Sequence, residues 1–175
     1  MLRGVGHIPV DRLSEGLIVD FSVGENLILG QQRAESCTRG PFLSPEKIRQ
    51  LAQALISEFG ITTNSTDQPA MYLSGGNQQK LILARELQRC SLCLLANRPT
   101  RGLDIGIIEY VHSQLVKKRA EGIGVLLASE DLDEIVDLAD RIAVIFQGRI
   151  MGDLDASESQ IDKIGLLMAG IPVAE

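Results

Sequence analysis

A chain of 175 residues with a formal net charge of −6 is long enough for one domain, which would bury roughly two-thirds of its unfolded surface. Apolar residues at 45% and charged residues at 23% argue against disorder, and 3% aromatic residues with no Trp leave an aliphatic core of the kind that lines parallel strands. The acidic balance without a Lys/Arg block excludes a nucleic-acid surface. No apolar run reaches membrane-spanning length and residues 1–6 lack a signal-peptide apolar region, so a cytosolic chain is expected.

In chain order, residues 5–9 predict a short strand, followed by a polar turn through Asp11, Arg12 and Ser14. Ser22 is placed to cap a short helix from Val23 to about Leu29, and residues 30–40 show no usable period and predict a loop. Ser44 as N-cap, Pro45 at the first helical position, Glu46 in the first turn and Gly60 past the end mark a helix. Its Ile48, Leu51, Leu55 and Phe59 form one apolar stripe. A polar connection over 62–68 leads through Pro69 to Ser74. The helix over 75–88 is apolar round much of its circumference (Leu81, Ile82, Leu83, Ala84, Leu87), which predicts burial.

Beyond it the pattern gives a strand at 92–96, a loop at 99–102 and a helix from Asp104 or Ile105 to about Glu121, closed by Gly122. A buried strand at 125–129 and an acid-capped helix from Glu130 and Asp131 to Ala139 follow. A strand at 142–146 turns at Gln147 and Gly148 into a hairpin partner at 149–154, and Ser157 caps a last helix carrying Ile161, Ile164, Leu167 and Met168. Strands alternating with helices predict an α/β fold with a parallel sheet covered on its faces. Cys90 and Cys93 form a C-x-x-C pair, yet Cys37, His7 and His112 are scattered and make no ligand set with it. Residues 90–95 read as the start of a buried strand, and no metal site is expected.

Residues 73–80, Leu-Ser-Gly-Gly-Asn-Gln-Gln-Lys, carry the main chemical signal. Ser74 stands where an N-cap belongs, two glycines follow, and an apolar helix runs on. Free N–H groups and the positive dipole end make such a helix start an anion site, and phosphate is the usual guest. Taken alone, the octet reads equally as a tight turn with its cap.

The octet resembles the signature segment of ABC-type ATPases, in the form found in bacterial monosaccharide and nucleoside importers. The resemblance continues through residues 99–104, 132–135 and 140–144, and reaches back to residues 6–12 and 21–27. It implies a partial P-loop NTPase module spanning 1–175: a helical signature subdomain at about 22–90, the remaining α/β core at about 91–154 and a C-terminal helix at 155–175.

The chemical stations of that family can be compared one at a time. No Gly in the chain is followed by Lys, so the G-x-x-x-x-G-K-[ST] phosphate loop is absent. Asn97 and Arg98 stand where the resemblance places a magnesium-holding Asp and a general-base Glu. Glu130 stands where it places a phosphate-sensing His, and Val10 where it places a metal- and water-contacting Gln. Read without the resemblance, Asn97 and Arg98 are ordinary strand-end residues. These departures imply the degenerate second module of a fused importer ATPase, its C-terminal part, inactive alone and without catalytic residues.

What the resemblance retains is the half of the ATP sandwich that serves a partner. Ser74, Gly75, Gly76, Asn77 and Gln78 would close on a γ-phosphate in trans, and Gly102, Leu103 and Asp104 would couple the two sites. ATP and Mg²⁺ are then held mainly by the partner module. The implied partners are an intact ABC ATPase module, membrane permease subunits reached through residues 44–59, and indirectly a solute-binding protein, with a location on the inner face of the cell membrane. Two other readings are a non-catalytic interaction or regulatory domain of the same fold, and a truncated gene product without independent activity. The strand feeding the phosphate loop lies inside the sheet in the resembled fold, so the chain alone is expected to self-associate.

Overall fold

In a computed structural model the described residues are 4–156 and 161–172. They fall into two compact units that meet in sequence at Leu126 and Leu127. The first unit is organised round α3 (Gly75–Arg89), which packs against β1 (Val5–Ile8), α1 (Val23–Leu27), α2 (Pro45–Glu58) and α4 (Ile105–Ala120). Leu81, Ile82, Leu83, Ala84 and Leu87 of α3 are all buried, as an apolar run on most sides of a helix requires.

Helices α1 to α4 each start where a short polar side chain satisfies a free amide. Ser22 and Glu25 form a reciprocal capping box on α1, and Ser44 precedes Pro45 at the start of α2. Ser74 caps α3, and Asp104 accepts the Ile107 N–H on α4. Of the predicted stripe of α2, Leu55 and the following Phe59 are buried and Ile48 and Leu51 half-buried, with Ala52 buried beside them.

The sheet of this unit has the order β1-β4-β5, with β4 at Cys93–Asn97 and β5 at Gly124–Ala128. β1 and β4 run parallel, with Ile8 opposite Ala96. Two expectations are corrected here. The sheet is not covered on both faces: Gly6, Ile8, Leu94 and Ala96 are buried, whereas His7 and Leu95, opposite one another in the ladder, are exposed. Nor is β5 a buried strand, since it ends the sheet order and its Leu126 is 65% exposed. Alternation along each strand puts one side chain in two on the open face.

Smaller differences are local. The turn after β1 is one turn of π-helix, Arg12–Gly16, capped by Asp11. The predicted loop at 30–40 ends in a hairpin of β2 (Thr38–Arg39) with β3 (Phe42–Leu43). In the second unit β6 (Arg141–Phe146) and β7 (Arg149–Asp155) form the expected hairpin. Gln147 and Gly148 both take positive φ, as a two-residue turn of the right twist demands. Its inner face, Ile142 and Val144, packs with α5 (Leu132–Leu138) and with Ile164 and Leu167 of α6 (Ile161–Met168). The expected cap Ser157 lies outside the described residues.

Candidate functional site

The amino end of α3 and the loop leading into α4 line one cleft of about 390 Å³. Ser74, Gly75, Gly76 and Asn77 form one wall, Gly102, Leu103 and Asp104 another, and Thr62, Lys80 and Ile107 complete it. Two segments that the sequence singled out separately are therefore adjacent. The first amides of α3, at Gly75 and Gly76, precede the helix's own bonding ladder, and its dipole adds positive potential there.

The side chains of this wall are held by specific bonds. Ser74 Oγ accepts from the Asn77 side-chain amide at 2.9 Å and from the Asn77 backbone N–H at 3.4 Å. Asn77 Oδ1 accepts the Thr62 N–H at 2.7 Å, which fixes the connection from α2 against the start of α3. Lys80 donates Nζ to Gly60 O at 3.0 Å and lies 4.9 Å from the Tyr110 ring centroid. Tyr110 in turn donates its hydroxyl to Phe59 O at 3.1 Å. Burial, and second the Glu58 carboxylate, push the Tyr110 phenol up to about 12.

Gly75 and Gly76 have different surroundings. A Cβ on Gly75 would meet only Arg12 Nη2, at an ordinary 3.6 Å, whereas one on Gly76 would press into Ile107. Gly75 thus has the Arg12 guanidinium beside it without crowding, and Gly76 lets α3 approach α4.

Other residues of the sequence-derived set lie elsewhere. Gln78 is not on the cleft wall: it is 7% exposed and donates Nε2 to Ala70 O at 3.3 Å. Val10 and Arg98 each follow, by two residues, the ladder pair Ile8 and Ala96, so both stand beyond the carboxyl ends of adjacent parallel strands, with Asn97 at the end of β4. Arg98 has φ of 45°. Glu130 belongs to the second unit, just after β5.

Two residues outside that set bind the site together. Gln79 donates to Pro99 O at 2.7 Å, and Arg12 donates Nη1 to Arg101 O at 2.8 Å. Arg12 follows Asp11, whose carboxyl is held below its ordinary value chiefly by the Ser14 and Leu13 N–H groups that it accepts. No local signal marked Arg12, because its partner lies 89 residues away.

No family model matches the chain. Among solved structures it resembles a post-hydrolysis dimer of an ATP-binding cassette bound to ADP and Pi. The TM-score is 0.69 and the identity 22%, over 89% of this chain and 64% of that one. It also resembles an inward-facing metal-chelate type ABC transporter, with a TM-score of 0.74 and 16% identity over 97% of this chain and 66% of that one. The fold is that of an ATP-binding cassette.

Sequence relatives narrow the class. The chain is 45% identical over 167 residues to the guanosine import ATP-binding protein NupO of Bacillus subtilis, covering 95% of this chain and 33% of that protein. It is 42% identical over 168 residues to the nucleoside import ATP-binding protein NupA of Lactococcus lactis, covering 96% and 33%. With the ribose import ATP-binding protein RbsA 2 of Rubrobacter xylanophilus it shares 37% identity over 171 residues, covering 98% and 33%. The chain is a homologue of these ABC import ATP-binding proteins and spans about a third of their length.

Proposed function

We propose that the chain is the signature-bearing C-terminal part of the degenerate second ATPase module of a nucleoside or sugar importer. The observation that carries this reading is the shared cleft of residues 74–77 and 102–104. It presents preorganised amide donors at a helix N-terminus with the Arg12 guanidinium beside Gly75, and such donors stabilise phosphoryl charge without reorganising. In this reading Ser74, Gly75, Gly76 and Asn77 face the γ-phosphate of ATP held with Mg²⁺ by an intact partner module, and Gly102–Asp104 couple the two sites. Gln78, buried against Ala70, supports the helix start from behind.

The chain's own hydrolytic station does not fit the metal or the base. Asn97 is a neutral amide and Arg98 a cation, so neither suits Mg²⁺ or the deprotonation of water. Among the described residues no helix is long and apolar enough to cross a membrane. In this reading the chain works at the inner membrane face through its permease, reached by α2, with a solute-binding protein acting further upstream.

The experiment is trans-stimulation. ATP turnover by an intact module of a related importer is measured with increasing amounts of this chain and of its Ser74→Ala variant. Stimulation by the native chain that falls at least several-fold in the variant supports the reading. No stimulation at saturating chain overturns it and leaves a regulatory or non-functional role.

A further inference from the structure

Two side chains from distant segments grip carbonyls of the same loop. Gln79 of α3, 1% exposed, donates to Pro99 O, and Arg12 of the π-turn donates to Arg101 O. The Arg12 guanidinium is also the nearest group to the Cβ position of Gly75. Arg12 is therefore bonded to the loop while its guanidinium stands beside the first residue of α3. Inside the loop, the Arg101 N–H donates to Arg98 O and the Leu103 N–H to Thr100 O, each at 3.2 Å. At its far end Asp104 caps α4, whose Ile107 fills the space over Gly76.

We infer that Arg12 and Gln79 clamp residues 98–103 to the amino end of α3, so that loop and helix start move as one body. Arg12 is the positioning residue that ties the turn after β1 to both. The physical basis is the multiplicity of fixed points. The bond from α3 to Pro99 O and the bond from the π-turn to Arg101 O fix two carbonyls of the six-residue loop, and Ile107 blocks motion of the helix start toward α4. A guanidinium is suited to the task because its several N–H donors lie in one rigid plane and can serve two neighbours together. A lysine has one nitrogen on a flexible stem, so it can hold the Arg101 carbonyl without also standing over Gly75. This inference deepens the proposed signature role: the clamp would pass displacement at residues 10–12 and 97–98 to the trans site.

The test is hydrogen–deuterium exchange on the full chain, comparing native protein with Arg12→Ala, Arg12→Lys and Gln79→Leu. Arg12 is half-buried at the surface, so its variants report even where the buried Gln79→Leu fails to fold. In Arg12→Ala the amides of Arg101, Leu103 and Asn77 should exchange faster together, on the order of tenfold, while α2 amides such as Leu55 are unchanged. Arg12→Lys should restore Arg101 and Leu103 more than Asn77. Unchanged loop amides in Arg12→Ala, or loop amides that quicken without Asn77, would overturn the single-body clamp. In the trans-stimulation assay Arg12→Ala should lower the stimulated kcat with little change in KM. Absence of stimulation by native chain would count against the signature role, while the exchange pattern would still decide the clamp.

Discussion

A Cβ placed on Gly76 would stand 2.8 Å from Ile107 Cγ1 and 3.1 Å from its Cδ1, so the second glycine of the octet is a packing residue between α3 and α4. Gly76→Ala gains about 0.5–1 kcal/mol of helix propensity but incurs overpacking of about 1–3 kcal/mol, because a β-branched neighbour has few rotamers to yield with. The expected outcome in urea denaturation is a net loss, recovered when Ile107→Ala is added. Gly75→Ala meets only an ordinary contact and should leave stability unchanged or raised by up to about 1 kcal/mol. Gly76→Ala matching native stability would remove the packing account.

Glu86 joins α3 to β1. Its carboxylate, 2% exposed, accepts from Arg85 Nε at 2.8 Å and from the His7 backbone N–H at 3.0 Å, and it pairs with Arg89. Arg85 also donates Nη2 to Gly16 O at 2.7 Å, so one cluster holds the helix, the first strand and the π-turn. Glu86→Ala removes a buried acceptor from two guanidinium groups and a strand amide and should cost about 3–5 kcal/mol in equilibrium unfolding. Asp153→Ala breaks the exposed pair with Arg141 and should cost less than about 1 kcal/mol. Equal effects would mean that the buried cluster is replaced by water without loss.

Elements with local signals were legible in the sequence. Ser22, Ser44, Ser74 and Asp131 each cap the helix expected of them, because a cap is set by its own residue and the next three, while Asp104, read as a possible first residue of its helix, is the cap of α4. The strand–helix order and the Gln147–Gly148 turn followed for the same reason. The hairpin of β2 and β3 was not legible, since two residues per strand carry no period. Burial of Gln78 was hidden too, because it depends on Ala70 arriving over the helix, and composition favours an exposed amide. Likewise the grip of Arg12 and Gln79 on one loop is a product of chain crossing, which no window of sequence contains. The exposed face of β4 and β5 was misjudged because apolar strands read as buried whatever covers them.

That face should make the isolated chain self-associate. Leu95 is 36% exposed and Leu126 65%, on a sheet whose last strand in order is β5. Leu126→Lys should shift the sedimentation profile toward monomer while the unfolding midpoint stays within about 0.5 kcal/mol of native, because an exposed side chain contributes little to the core. A native chain that already sediments as a monomer at high concentration would sink the prediction.

Tyr110 supplies a pH-dependent prediction. Its ring sits beneath Lys80 and its hydroxyl donates to Phe59 O, so the neutral phenol is the form this packing accommodates. Burial first, and the Glu58 carboxylate second, push it up to about 12 from an ordinary 10.0. The sign follows from proton counting. Above pH about 10 the unfolded chain releases the Tyr110 proton while the folded chain keeps it, so the unfolded state binds fewer protons. The stability that this group contributes is fully present below that pH and is lost as pH rises toward about 12. Native chain and Tyr110→Phe should therefore converge in stability over that window, while below it the variant is weaker by about 0.5–1.5 kcal/mol for the lost hydrogen bond. The chain has two tyrosines, so Tyr72→Phe leaves Tyr110 as the sole source of phenolate absorbance. An ultraviolet titration of that variant should show a midpoint well above 10. A midpoint at the ordinary value would mean that Tyr110 is solvated and that its tie to α2 is open in solution.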